Sequence, residues 1–175
     1  MNKNRPLLIE YAKQKHGEQK RKYDGEAYYK HLLRVAEMAE QYNVPLGFEK
    51  GLLHDIVEDH HVTLDQIEKK LSELDYTPYE KWDIITCIIN LTDEYTPDAY
   101  PNLNRKQRKQ MEAERLWHIR PDDQTVKYCD MLDNLSSIID RDPDFARVYI
   151  KEKEYALKRM RSGNKELLKQ LEELI

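Results

Sequence analysis

A chain of 175 residues has the length of one domain and can bury about two-thirds of the surface its unfolded form exposes. With 35% charged and 39% hydrophobic residues, and no apolar run near the roughly 20 residues that span a bilayer, it reads as a solvated globular protein without a membrane segment. The net charge of −4, spread over interspersed acids and bases, gives no support to nucleic-acid binding.

The N-terminus, MNKNRPLLIEYAKQKHG, interrupts its short apolar patch with Glu10 and Lys13 and so is no signal peptide. Residues 5–16 are predicted as a first helix ending at Gly17, before a charged loop, EQKRKYDGE, in which Asp24-Gly25 is a turn signal. In YYKHLLRVAEMAEQY, apolar residues recur at 28, 32, 35, 36 and 39, a helical stripe. Pro45 restarts a helix that is expected to run through LGFEKGLLHDIVED. Thr63 to Leu74 reads as an amphipathic helix opened by the capping box TLDQ.

Residues 79–92, YEKWDIITCIINLT, are the most apolar segment. They are β-branched enough to suggest a strand, but length and surroundings favour a buried helix. A loop, DEYTPDAYPNLN, leads to the helical RKQRKQMEAERLWHI, and Pro121 opens the next helix, DDQTVKYCDMLDNLSSII. The tail, 143–175, reads as two charged amphipathic helices broken near Ser162-Gly163. With no internal repeat and no long linker, the expectation is a single all-α bundle. Cys87 and Cys129 sit in apolar helical contexts, which fits reduced core residues of a cytoplasmic protein better than a disulfide.

The stretch LLHDIVEDH, residues 52–60, carries His54, Asp55, Glu58, Asp59 and His60 directly behind two leucines. On a helix, His54 and Glu58 share one stripe and Asp55 and Asp59 the next, beside the apolar Leu52, Leu53 and Val57. Carboxylates against apolar packing are unfavourable unless a cation compensates them, and a divalent metal does so economically. The alternative is a solvated helix face with a histidine at its edge. Two further polar residues on apolar stripes favour the metal. His31 precedes LLRVAEMA on the preceding helix, where a hairpin would bring it beside His54, and Asp130 lies inside VKYCDMLDNL.

Four blocks in order, HGEQKRKYDGEAYYKHLLRVA, GLLHDIVEDHHVT, LTDEY with NRKQRK, and VKYCDMLDNL, spread over residues 16–135. Together they resemble the HD-domain phosphohydrolase superfamily, specifically the hydrolase domain of the RelA/SpoT alarmone enzymes and their small single-domain relatives. The resemblance implies one HD-type helical domain over residues 1–175, with a motif core at 16–135 and C-terminal helices at 143–175, and no synthetase or regulatory domain behind it. It implies metal ligands at His31, His54, Asp55 and Asp130, an acidic catalytic pair at Glu58 and Asp59, and nucleotide contacts from Arg21, Lys22 and Asn134. The chain departs from the family pattern where AYYKHLL replaces a segment with two prolines. Asp133 replaces a histidine, and LTDEY stands where VTK is common.

The chemistry implied is metal-assisted hydrolysis of a phosphate ester or anhydride, with a divalent metal of the Mn²⁺ type as cofactor. Glu58 and Asp59 would handle protons, and Arg105, Lys106 and Arg108 in NRKQRK would help admit a polyphosphate past the acidic site. The substrate implied is guanosine 3′,5′-bis(diphosphate), losing its 3′-pyrophosphate. The alternatives are an HD phosphohydrolase on a nucleoside monophosphate or deoxynucleotide, and a non-catalytic module that binds a nucleotide and regulates a partner. The sequence leaves a homo-oligomer open. His60 and His61 read as surface loop residues, His16 as a structural histidine, and His118 beside Trp117 as packing. Tyr28, Tyr29 and Tyr128 are placed beside the site by their spacing, with core and rim packing as their default role.

Overall fold

The computed structural model describes residues 3–22, 25–60 and 62–175, the side chains of Asp59 and His60 excepted. The described residues are helical throughout, with one isolated antiparallel bridge, Lys20 to Ala27, and no strand. None of these helices is long and apolar enough to cross a membrane. The chain divides into two compact units, residues 1–92 and 93–175.

The first unit holds α1 (Arg5–His16), α2 (Tyr28–Gln41), α3 (Gly47–Leu53), α4 (Ile56–His60), α5 (Leu64–Glu73) and α6 (Pro78–Leu91). Gly17 ends α1 with φ of +50°, a conformation open to glycine, and its N–H donates to Lys13 O. The stripe expected on α2 is buried as Leu32, Val35, Ala36 and Ala39, with His31 on the same face. Helices α5 and α6 both open on reciprocal capping boxes, Thr63 with Gln66 and Thr77 with Glu80, each satisfying two backbone donors.

Two expectations are corrected. The helix through 46–59 is broken, because α3 ends at Leu53 and His54 and Asp55 form a turn before α4. The His54 imidazole supplies the reason. Its Nδ1 lies 2.7 Å from Gly51 O, so the side chain takes the carbonyl that a continuous helix would offer to the Asp55 N–H. Residues 79–92 do form a helix rather than a strand, but only half of it is buried. Ile84, Cys87, Ile88 and Leu91 face the core, while Tyr79, Trp82 and Ile89 are exposed.

Close packing of α3 on α2 depends on Gly51. A Cβ there would stand 2.6 Å from Ala36 Cα, inside any tolerable contact, so only glycine lets the two backbones meet. Leu8, Leu32, Leu52, Leu53, Ile56, Ile67, Leu71, Ile84 and Ile88 make up the fully buried heart of this unit. The ammonium of Lys50, fully buried, lies 3.0 Å from the Asp83 carboxylate and ties α3 to α6.

The second unit begins with the loop 93–104 and continues through α7 (Arg105–Trp117), α8 (Pro121–Arg141), α9 (Pro143–Leu157) and α10 (Lys165–Leu174). Glu112 on α7 pins the loop by accepting the N–H groups of Glu94 and Tyr95 at 3.1 and 3.2 Å. Asn104 and Gln107 form a third capping box, and Asn164 caps α10. Val126, Cys129, Met131, Leu135, Met160, Leu167 and Leu171 are buried together in this unit. Tyr128 takes the packing role expected of it by default: it is fully buried and its hydroxyl donates to Met160 O.

Candidate metal centre

The first unit gathers two histidines and an aspartate. His31 projects from α2 and His54 from the turn after α3, and their rings meet edge to face with centroids 5.4 Å apart. Both imidazoles are buried, 1% and 0% exposed, while the Asp55 side chain retains 14% exposure. Asp55 Oδ2 lies 3.0 Å from His54 Nε2 and 3.8 Å from His31 Nε2. Each of the three offers one ligand atom within 4.8 Å of the others.

The tautomer of His54 follows from its surroundings. A carbonyl can only accept, so Nδ1 carries the hydrogen donated to Gly51 O, which leaves Nε2 as the ring nitrogen that can ligate a cation. Asp55 is held in turn by Tyr28, whose hydroxyl donates to Oδ2 at 2.6 Å. Tyr28 also stacks on His16, centroids 5.0 Å apart, and meets His31 edge to face at 5.4 Å. The His16 Nδ1 donates to Gln19 Oε1 at 2.8 Å, which is the structural role expected of it. Two imidazole nitrogens and one carboxylate oxygen, oriented by hydrogen bonds from behind, suit a divalent cation.

Other residues singled out in the sequence take varied positions. Glu58 stands exposed on α4, and the side chain of Asp59 lies outside the described residues, as do His60's side chain and all of His61. Asp24 of the expected turn is also outside them, while Gly25 takes φ of +71°. Arg21 is buried and Lys22 exposed. The Lys13 ammonium lies over the Tyr29 ring at 4.7 Å.

In the second unit Asp130 is buried on α8, with Lys127 Nζ at 2.9 Å from Oδ2 and Asn134 Nδ2 donating to Oδ1 at 2.6 Å. Arg105 is engaged bidentately by Glu152, at 2.7 and 2.9 Å, whereas Lys106 is exposed. Arg108 donates to Leu103 O. His118 packs on Trp117 with centroids 4.9 Å apart.

Sequence reasoning missed the hydroxyl of Tyr28 as the group holding Asp55, and it missed Lys127. Both carried a signal. Tyr28 is three residues before His31 and so shares its helix face, and Lys127 interrupts an apolar stripe three residues before Asp130.

No family model matches the chain. It is 34% identical over 140 residues to a probable guanosine-3′,5′-bis(diphosphate) 3′-pyrophosphohydrolase of Mycoplasma pneumoniae, across 74% of this chain and 17% of that protein. It is 29% identical over 133 residues to the guanosine-3′,5′-bis(diphosphate) 3′-pyrophosphohydrolase MESH1 of Homo sapiens, across 74% of this chain and 66% of that one. The chain thus spans only a small part of the bacterial relative's length. A solved structure described as a metazoan ortholog of SpoT that hydrolyses ppGpp and plays a role in starvation responses matches with a TM-score of 0.79 at 23% identity, covering 99% of this chain and 94% of that chain. The likeness to that structure shows the helical fold of the chain. In sequence the chain is similar to guanosine-3′,5′-bis(diphosphate) 3′-pyrophosphohydrolases over about three-quarters of its length.

Proposed function

We propose that the chain is a metal-dependent phosphohydrolase that removes the 3′-pyrophosphate of guanosine 3′,5′-bis(diphosphate), acting in the cytoplasm as one HD domain. The observation that carries this reading is the convergence of His54 Nε2 and His31 Nε2 on Asp55 Oδ2, at 3.0 and 3.8 Å. The printed activities of the curated relatives support the substrate.

His31, His54, Asp55 and Asp130 would hold the ion, for which Mn²⁺ fits a mixed nitrogen and oxygen donor set. When bound, the metal acidifies a water and neutralises charge on the phosphoryl group. The remaining work falls to the chain's own groups. Gly51 O and Tyr28 orient His54 and Asp55, so the ligands do not have to be ordered on binding. Glu58 and Asp59, at the acidic positions of the motif, take the proton from the attacking water and return one to the leaving oxygen. Arg21, Lys22, Asn134, Arg105 and Lys106 contact the nucleotide, and Arg105 exchanges Glu152 for phosphate when it does so.

The test is a substrate panel with Mn²⁺: guanosine 3′,5′-bis(diphosphate), nucleoside triphosphates and nucleoside monophosphates, with release products resolved by chromatography and Asp55→Ala as the blank. Pyrophosphate from the first compound alone, lost in the variant, is the expected result. Orthophosphate from a mononucleotide would replace the substrate, and no turnover with metal bound would make the chain a regulatory nucleotide binder.

A further inference from the structure

Tyr28 secures Asp55, and other residues in turn secure Tyr28. Its ring lies on the His16 imidazole, 13° from parallel with centroids 5.0 Å apart, and His31 meets it edge to face at 5.4 Å. His16 is the last residue of α1 and is buried, 3% exposed. Gln19 sets the orientation of that imidazole, its Oε1 accepting the Nδ1 hydrogen at 2.8 Å. Gln19 also joins the two ends of the connection between α1 and α2. Its N–H donates to His16 O and its carbonyl accepts the Tyr28 N–H, each at 2.9 Å. The Lys20–Ala27 bridge continues the pairing, next to Arg21 N–H donating to Glu26 O at 2.8 Å.

A hydroxyl holds a carboxylate in one direction only if the ring that carries it does not swing. Side chains in a helix lean back on the preceding turn, but Tyr28 is the first residue of α2 and has no such turn beneath it. The His16 ring, at the end of a different helix, supplies the missing surface, and near-parallel rings at this separation attract each other beyond the area they bury. Partners that orient a metal ligand from behind govern affinity almost as strongly as the ligands do. A histidine that merely ended α1 would, when replaced, lower stability and leave Asp55 as it was.

We propose that His16, oriented by Gln19, is a positioning residue of the metal centre, acting through the Tyr28 ring on the direction of the Asp55 carboxylate. The proposal rests on the reading of His31, His54 and Asp55 as metal ligands. It extends that centre outward along the series Asp55, Tyr28, His16, Gln19, whose members come from α1, α2, the connection between them and the turn after α3.

The experiment is isothermal titration of the full chain with Mn²⁺, with urea melts on the same samples. It compares the natural protein with His16→Ala, His16→Phe, Tyr28→Phe and the double variant His16→Ala with Tyr28→Phe. Thr77→Ala, in the cap of α6, is the control for lost stability alone. His16→Ala is expected to bind Mn²⁺ about threefold to tenfold more weakly. His16→Phe, which keeps a ring against Tyr28, should regain most of that loss. The double variant should bind no more weakly than Tyr28→Phe by itself, because both substitutions break one series. Thr77→Ala should melt earlier and bind as the natural protein does. If His16→Ala does not fold, as judged by circular dichroism, Gln19→Ala at its half-buried position takes its place and should weaken binding in the same direction. Unchanged affinity in His16→Ala or its stand-in, no recovery in His16→Phe, or losses that multiply in the double variant would overturn the positioning role while the metal centre stands. No saturable Mn²⁺ binding by the natural protein would overturn the metal centre itself, and the positioning role with it.

Discussion

Replacing Gly51 with alanine tests the link between helix packing and the metal centre. The added Cβ would lie 2.6 Å from Ala36 Cα, 2.7 Å from Ala36 N and 2.9 Å from Val35 C, all backbone atoms that no rotamer change can remove. Carbon–carbon contacts are optimal at about 3.5–4.0 Å, so α3 must retreat from α2 by about 1 Å. Two effects compete. Alanine in a helix interior gains about 1 kcal/mol over glycine, whereas overpacking a core costs about 1–3 kcal/mol. Because the clash is with backbone, the upper end of that range applies, and the net loss is about 1–2 kcal/mol. At a typical denaturant dependence of about 2 kcal/mol per molar urea, the unfolding midpoint should fall by about 0.5–1 M. The same retreat separates His31 on α2 from His54 at the end of α3, whose rings now stand 5.4 Å apart, so metal affinity should fall with it. Urea melts followed by circular dichroism measure the first effect and Mn²⁺ titration the second. A midpoint that rises or stays put, with unchanged metal affinity, would show that helix propensity outweighs the contact and that this close approach does not set the histidine pair.

Tyr28→Phe removes the hydroxyl that holds Asp55 Oδ2 while keeping the ring contacts with His16 and His31, so metal affinity should drop about tenfold with little change in stability. Unchanged affinity in a metal titration would remove Tyr28 from the centre. Thr77→Ala deletes the capping box of α6 and should lower stability by about 1 kcal/mol, read as a shift in the urea midpoint without loss of activity. Both cysteines are buried free thiols, and burial pushes Cys129 up to about 12, so a thiol reagent at pH 8 should modify neither until the protein is unfolded. The raised thiol of Cys129 also sets a direction with pH. Its contribution is fully present below its ordinary value of 9.0 and is lost as pH rises toward about 12, so stability should decline over that window and Cys129→Ala should flatten the decline.

Much of the fold was legible in local sequence. Capping boxes at Thr63 and Thr77, prolines at helix starts and the glycine after His16 delimit helices through interactions within four residues of one another. The break at His54-Asp55 was not legible, because periodicity reports which face of a segment is apolar and not whether a side chain has captured a carbonyl of the preceding turn. The exposure of Trp82 and Ile89 escaped for a related reason, since an apolar composition does not say how much of it the neighbouring helices will cover.

The same division runs through the site. By itself the sequence determined that the described chain is helical, that its histidines and aspartates interrupt apolar stripes, and that their spacing resembles the HD pattern, because these are properties of residues a few positions apart. Tertiary structure alone decided that His31 and His54 meet edge to face, that Tyr28 secures Asp55, and that Arg105 on α7 meets Glu152 on α9. Those groups lie tens of residues apart along the chain. Only the packing of α2 on α3 through Gly51, and of α7, α8 and α9 within their own unit, brings their charges to distances at which Coulomb forces and hydrogen bonds act.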